Sequence, residues 1–109
     1  MSSAAIIGLD VGSTLVKAAR FDLRGRELAV AERRVPPASP RPGWVERDAA
    51  ATWRAAAACL RAVAAPAVAA IGVTGCGNGA VFVDRAGRPV RAGILSSDTR
   101  AAGWERSRP

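Results

Sequence analysis

A chain of 109 residues is long enough for one small domain, and half of it is hydrophobic, but 25 of those residues are alanine, which adds little burial free energy. The net charge of +7 comes from Lys17 and 15 scattered arginines with no run of five, and the five aromatics do not alternate with basic residues; nucleic-acid binding is therefore not expected. Without histidine, and with Cys59 and Cys76 lying 17 positions apart, a zinc site is excluded, and the two are expected to be buried reduced thiols.

Residues 4–10 (AAIIGLD) predict a short central strand, buried on both faces and ending in Asp10. After Val11, Gly12 and Ser13, residues 15–22 alternate with period two, as a second strand does. A turn at residues 22–26 contains Gly25, and residues 27–35 pair back as a third strand whose arginines favour a sheet edge. Four prolines in residues 36–44 (PPASPRPGW) make that stretch a connector.

Asp48 is the expected N-cap of a helix over residues 49–65, in which Trp53, Ala56, Ala57, Leu60 and Val63 recur at spacings of three and four. Pro66 ends it. Residues 68–74 (VAAIGVT) predict another buried strand, and residues 80–84 and 89–95 a hairpin about a turn at 85–88. A capped helix is expected to begin at Asp98. Residues 62–83 carry no charge over the length of a membrane span, but Pro66, Thr74, Asn78 and four glycines divide them into a helix end, a strand and a turn. No membrane association is therefore expected. The start, MSSAAIIGLD, lacks a basic segment of the kind that opens a signal peptide, and the protein is expected to be cytoplasmic.

The order β-β-β-α-β, with polar turns after the first and fourth strands, predicts an α/β domain that collects ligands at strand ends. Its core is expected from Ile6, Ile7, Leu9, Val16, Phe21, Ile71, Val73, Val81, Phe82, Ile94 and Leu95. One helix covers only one face of such a sheet.

A strand that ends in aspartate and runs into glycine and two hydroxyl residues is suited to a nucleotide's phosphates. Gly12 permits close backbone approach, Ser13 and Thr14 offer amides and hydroxyls, Asp10 can hold magnesium through its waters, and Lys17 adds a mobile cation. A plain strand turn would use the same residues, and no P-loop pattern is present. Residues 75–80 (GCGNGA) satisfy a dinucleotide fingerprint formally, but VFVD follows where a helix is required. The other reading is a small-residue turn that admits a polar substrate, with Asn78 offering a donor and an acceptor. Asp98 is either a helix N-cap or a hydroxyl-binding group. Trp44, Trp53 and Trp104 read as packing anchors, with Trp104 the most open to a ligand role because it follows Asp98 on the same expected helix.

Three stretches, IGLDVGSTLVKAARFDLRGREL, PGWVERDAAATW and AAIGVTGCGNGAVFVDRAGRPVRAGILSSDTRAA, together resemble the N-terminal part of the FGGY carbohydrate kinases. These are relatives of actin and hexokinase within the ribonuclease-H-like fold. The resemblance implies phosphoryl transfer from ATP with Mg to a sugar or polyol hydroxyl. It puts Asp10, Gly12, Ser13, Thr14 and Lys17 on the first phosphate motif, with Mg held at Asp10 through water. Gly77 and Asn78 fall on the pair that reads the substrate, and Asp98 on an acidic position near its hydroxyls. Xylulokinases carry Met-His and glycerol kinases Arg-Glu at that pair, and Ser96 stands where tryptophan is usual; GILSSD is nearer the L-xylulose kinase branch. The resemblance also implies that the catalytic base, second phosphate motif, adenosine loop and second domain lie outside residues 1–109. The chain is thus expected to be a partial N-terminal domain, inactive alone, with oligomerisation open to a full-length protein. The alternative is a non-catalytic interaction module that uses an exposed sheet face.

Overall fold

The computed structural model describes residues 4–107. Alternating small and branched residues build three consecutive antiparallel strands, β1 (Ala5–Val11), β2 (Leu15–Asp22) and β3 (Glu27–Arg34). Between β2 and β3 the Asp22 carboxylate accepts the amides of Arg24 and Arg26, both at 2.9 Å, while Gly25 takes φ +89°. The proline-rich connector leads into a two-residue strand, β4 (Glu46–Arg47), absent from the sequence reading.

Helix α1 (Ala49–Val63) starts where expected, because Asp48 accepts the amides of Ala50 and Ala51 at 2.8 and 3.2 Å. It returns the chain to β5 (Val68–Gly75), which runs parallel to β1 and completes the order β3-β2-β1-β5. Further on, β6 (Gly93–Ile94) pairs with β4, and a 3₁₀ turn covers Trp104–Ser107.

The core forms on one face only. Ile7, Leu9, Val16 and Ala18 from the sheet pack against Ala55, Ala56, Cys59 and Val63 of α1, with Val35 closing one side. Alanines let the helix approach the strands closely, and Arg20 Nε donates to the Val63 carbonyl at 2.7 Å, satisfying a carbonyl at the helix end. Burial pushes the Cys59 thiol above its ordinary range.

Several expectations need correcting. β1 buries alternate residues rather than both faces, and β5 is exposed along most of its length, with Ile71 and Val73 at 50% and 68% exposure, because α1 covers β1, β2 and β3 but not β5. Ile6, Val81 and Phe82 are exposed for the same want of a covering layer. Trp53 is 69% exposed; the packed stripe of α1 runs through Ala55, Ala56, Cys59 and Val63, so the helix is rotated relative to the expected face. Cys76 is exposed, not buried.

Residues 80–95 fold back as expected, but only through isolated bridges, Ala80 with Ile94 and Val83 with Pro89. Pro89 has no N–H to extend the ladder. Beyond Asp98 there are turns and the 3₁₀ segment instead of an α-helix, with Gly103 at φ +91° interrupting the chain. Consequently Asp98 and Trp104 do not share a helix. No helix among the described residues is long and apolar enough to cross a membrane. The radius of gyration, 17.3 Å, exceeds the ~13 Å of a compact domain of this length, and the principal extents are 65, 27 and 24 Å.

Candidate functional site

The register of β1 against β5 sets the geometry. Val11 lies opposite Gly75, and the Cys76 amide donates to the Val11 carbonyl at 3.2 Å, so the turns at residues 12–14 and 76–78 leave the sheet side by side.

Three bonds shape the first turn. The Gly12 amide donates to the Leu15 carbonyl at 2.9 Å, the Val35 amide to the Thr14 carbonyl at 2.9 Å, and Arg47 Nη1 to the Gly12 carbonyl. Glycine is required at position 12 because a Cβ there would stand 2.8 Å from the Leu15 carbonyl oxygen, a backbone atom that cannot move aside alone. Gly12→Ala should destabilise the chain by ~1–3 kcal/mol and displace the Ser13 and Thr14 amides, which a urea titration and an amide spectrum would register. An unshifted turn with full stability would refute this. Ser13 and Thr14 are exposed, and neither their amides nor their hydroxyls have a partner among the described residues.

Asp10 and Lys17 are cross-strand partners on the sheet face opposite α1, where they border a groove of about 390 Å³ with Thr74 over the glycine pair Gly8 and Gly72. Lys17 Nζ stands 3.6 Å from Glu32, both being about half exposed. Gly77 and Asn78 open instead onto a cleft of about 400 Å³ on the α1 side, together with Arg47, Thr52, Val81 and Leu95. Asn78 has φ +58°, a left-handed conformation that asparagine tolerates better than most residues. Asp10, Gly12, Ser13, Thr14 and Lys17 are thus brought to one corner of the sheet, and Gly77 and Asn78 to the adjoining turn.

Asp98 lines neither cavity, and its side chain is only 3% exposed. One oxygen accepts the Arg100 amide and Nε at 2.9 Å each; the other accepts the Val45 amide at 2.6 Å and Arg100 Nη2 at 2.7 Å. Glu46 takes Arg100 at 2.7 Å and also pairs with Arg91. The Arg100 guanidinium lies 3.8 Å from the centre of the Trp44 ring, on which Arg41 also stacks at 5.0 Å. The Arg100 guanidinium holds the Asp98 carboxyl well below the usual carboxylate range, lowers Glu46, and is itself raised chiefly by its hydrogen bonds to Asp98. This cluster fastens the connector to the segment after β6. Neither this cluster nor the place of Arg47 is legible in the sequence, because each depends on residues some 35 to 54 positions apart meeting in space.

Comparison with known proteins agrees with this architecture. The profile described as "FGGY family of carbohydrate kinases, N-terminal domain" matches residues 5–107. The L-xylulose/3-keto-L-gulonate kinase of Escherichia coli is 38% identical over 87% of this chain and 20% of its own length. A probable L-xylulose kinase of Haemophilus influenzae is 37% identical over 87% of this chain and 21% of its own. The crystal structure of xylulose kinase from Rhodospirillum rubrum superposes with a TM-score of 0.82 at 34% identity, covering 90% of this chain and 21% of that one. The chain spans about a fifth of the length of the curated relatives it matches. Its sheet and helix are those of the actin- and hexokinase-like ATPase fold, and the chain belongs to the FGGY family of carbohydrate kinases, matching the family's N-terminal domain.

Proposed function

We propose that this chain supplies the phosphate-gripping and acceptor-reading part of an ATP-dependent kinase acting in the cytoplasm on a sugar or polyol hydroxyl. The observation that carries the reading is the pairing of Val11 with Gly75, which brings two strand-end turns to one edge of an α/β sheet, the usual place for ligands in such folds. In this reading Ser13 and Thr14 donate to phosphate oxygens, Lys17 adds a cation, and Gly12 lets the backbone come close. Mg²⁺ keeps several waters and needs only one or two carboxylates beside the phosphates. The exposed Asp10 fits that demand, and the described residues hold no cluster that would bind an ion directly.

Mg-ATP supplies the phosphoryl group when bound; the chain's part is to position and neutralise. Gly77 and Asn78 read the acceptor. The likeness to the Escherichia coli relative favours a ketose or a keto sugar acid as that acceptor. Asp98 serves it indirectly, by holding the segment that ends in Leu95 against the cleft.

Among the described residues no carboxylate lines the acceptor cleft, so no Asp or Glu described there stands ready to take the hydroxyl proton. The 109-residue chain should accordingly show no turnover of L-xylulose with Mg-ATP, while Mg-ATP shifts the amide resonances of Gly12, Ser13 and Thr14 until EDTA is added. Turnover would disprove the inactivity, and unmoved amides at millimolar Mg-ATP would disprove nucleotide binding at this turn.

A further inference from the structure

We propose that Arg47 makes the acceptor cleft an anion site, which takes the carboxylate of an acidic sugar; the sugar assignment rests on the kinase reading above. Arg47 is 7% exposed, yet it has no carboxylate partner among the described residues. Its Nε donates to Thr52 Oγ1 at 2.8 Å and its Nη1 to the Gly12 carbonyl, both neutral acceptors. The neighbouring acids are already engaged. Glu46 is held by Arg91 and Arg100, Asp98 by Arg100, and Asp48 by the first amides of α1. Arg47 is thus without a contacting carboxylate, and it is the only charged residue among the described residues that line the cleft.

A buried charge without a counter-ion is costly, and a guanidinium fork fits a carboxylate. Nη2 has no partner among the described residues and is not sealed from solvent, and Arg47 lines the cleft beside Thr52, Gly77 and Asn78. We assign the anion to the acceptor and not to the nucleotide, because the cleft that Arg47 lines includes Gly77 and Asn78 but none of Asp10, Ser13, Thr14 and Lys17. A neutral polyol would leave the charge unanswered. An acidic sugar answers it.

The test compares D-gluconate with sorbitol, a neutral polyol of equal carbon count, by titrating the 109-residue chain and following the Gly77 and Asn78 amides. Gluconate should bind at least tenfold more tightly, and Arg47→Gln should reduce that preference below twofold. In the unsubstituted chain, which avoids any folding defect of the variant, the Arg47 Nε–H resonance should move with gluconate and stay put with sorbitol. Equal affinity for the two, a preference that survives Arg47→Gln, an unmoved Arg47 resonance, or inorganic phosphate binding as tightly as gluconate would each overturn the site. Mg-ATP shifts at Ser13 and Thr14, measured in parallel, report separately on the kinase reading.

Discussion

Val16→Ala is expected to lower the unfolding free energy by about 2–3 kcal/mol, whereas Val73→Ala should change it by less than ~0.5 kcal/mol. The residue type and the deletion are the same; only the packing differs. Val16 is fully buried on β2, opposite Val11 and with the Cys59 thiol of α1 against its carbonyl, and removing its two methyl groups leaves a void in the core beneath the helix. Val73 stands beyond the edge of the helix with most of its surface in water. In a domain whose total stability lies within the usual range of about 5–15 kcal/mol, the first loss is a large fraction. Urea denaturation of both variants checks it. Equal losses would mean that β5 is covered as well as β2 is.

Asp98→Asn should lower the melting temperature at neutral pH and flatten its fall in acid. The folded carboxyl is held below its unfolded pKa, near 4, chiefly by its hydrogen bonds to Arg100. Its contribution is therefore fully present above that unfolded value and disappears as the pH drops through the lower folded one. Melting curves between pH 2 and 7 should show the unsubstituted chain losing more stability than the variant below about pH 4. Glu46 is lowered in the same sense, so some acid dependence should persist in the variant. Two parallel curves would show that Asp98 titrates without stabilising the cluster.

Local chemistry made much of this fold readable. Asp22 with Gly25, and Asp48 before an alanine-rich helix, are turn and cap signals that act within four residues, and both reappear as hydrogen bonds. The three antiparallel strands and the edge position of β3 follow from period-two alternation and charge. What could not be read depends on distant partners. An apolar run such as residues 68–74 states that a strand is suited to burial, not whether a layer arrives to cover it. Trp53 illustrates the same gap, since the phase of a helix with many alanines is only weakly fixed by its few large residues.

The site divides similarly. The turn at Gly12, Ser13 and Thr14, with Asp10 and Lys17 on the strands that flank it, was legible as a local feature because these residues lie within eight positions of one another, and the turn at Gly77 and Asn78 because glycines flank it. Asp98 was legible as a polar junction residue, but the four hydrogen bonds that hold its carboxylate away from both cavities arise from Val45 and Arg100. Arg47 carried no signal, since an arginine between two acids reads as surface.

The two edges of the sheet are unequal in colloidal terms. β3 ends one side with Glu27, Glu32, Arg33 and Arg34, charges that discourage another chain from pairing with it. β5 ends the other side, among the described residues, with VAAIGVTG, eight residues without a charge or a proline and largely exposed. Unguarded strands of that composition template further strand addition. β5 is therefore the edge of this sheet at which a pairing strand would meet no charge and no proline, whereas at β3 it would meet both signs of charge.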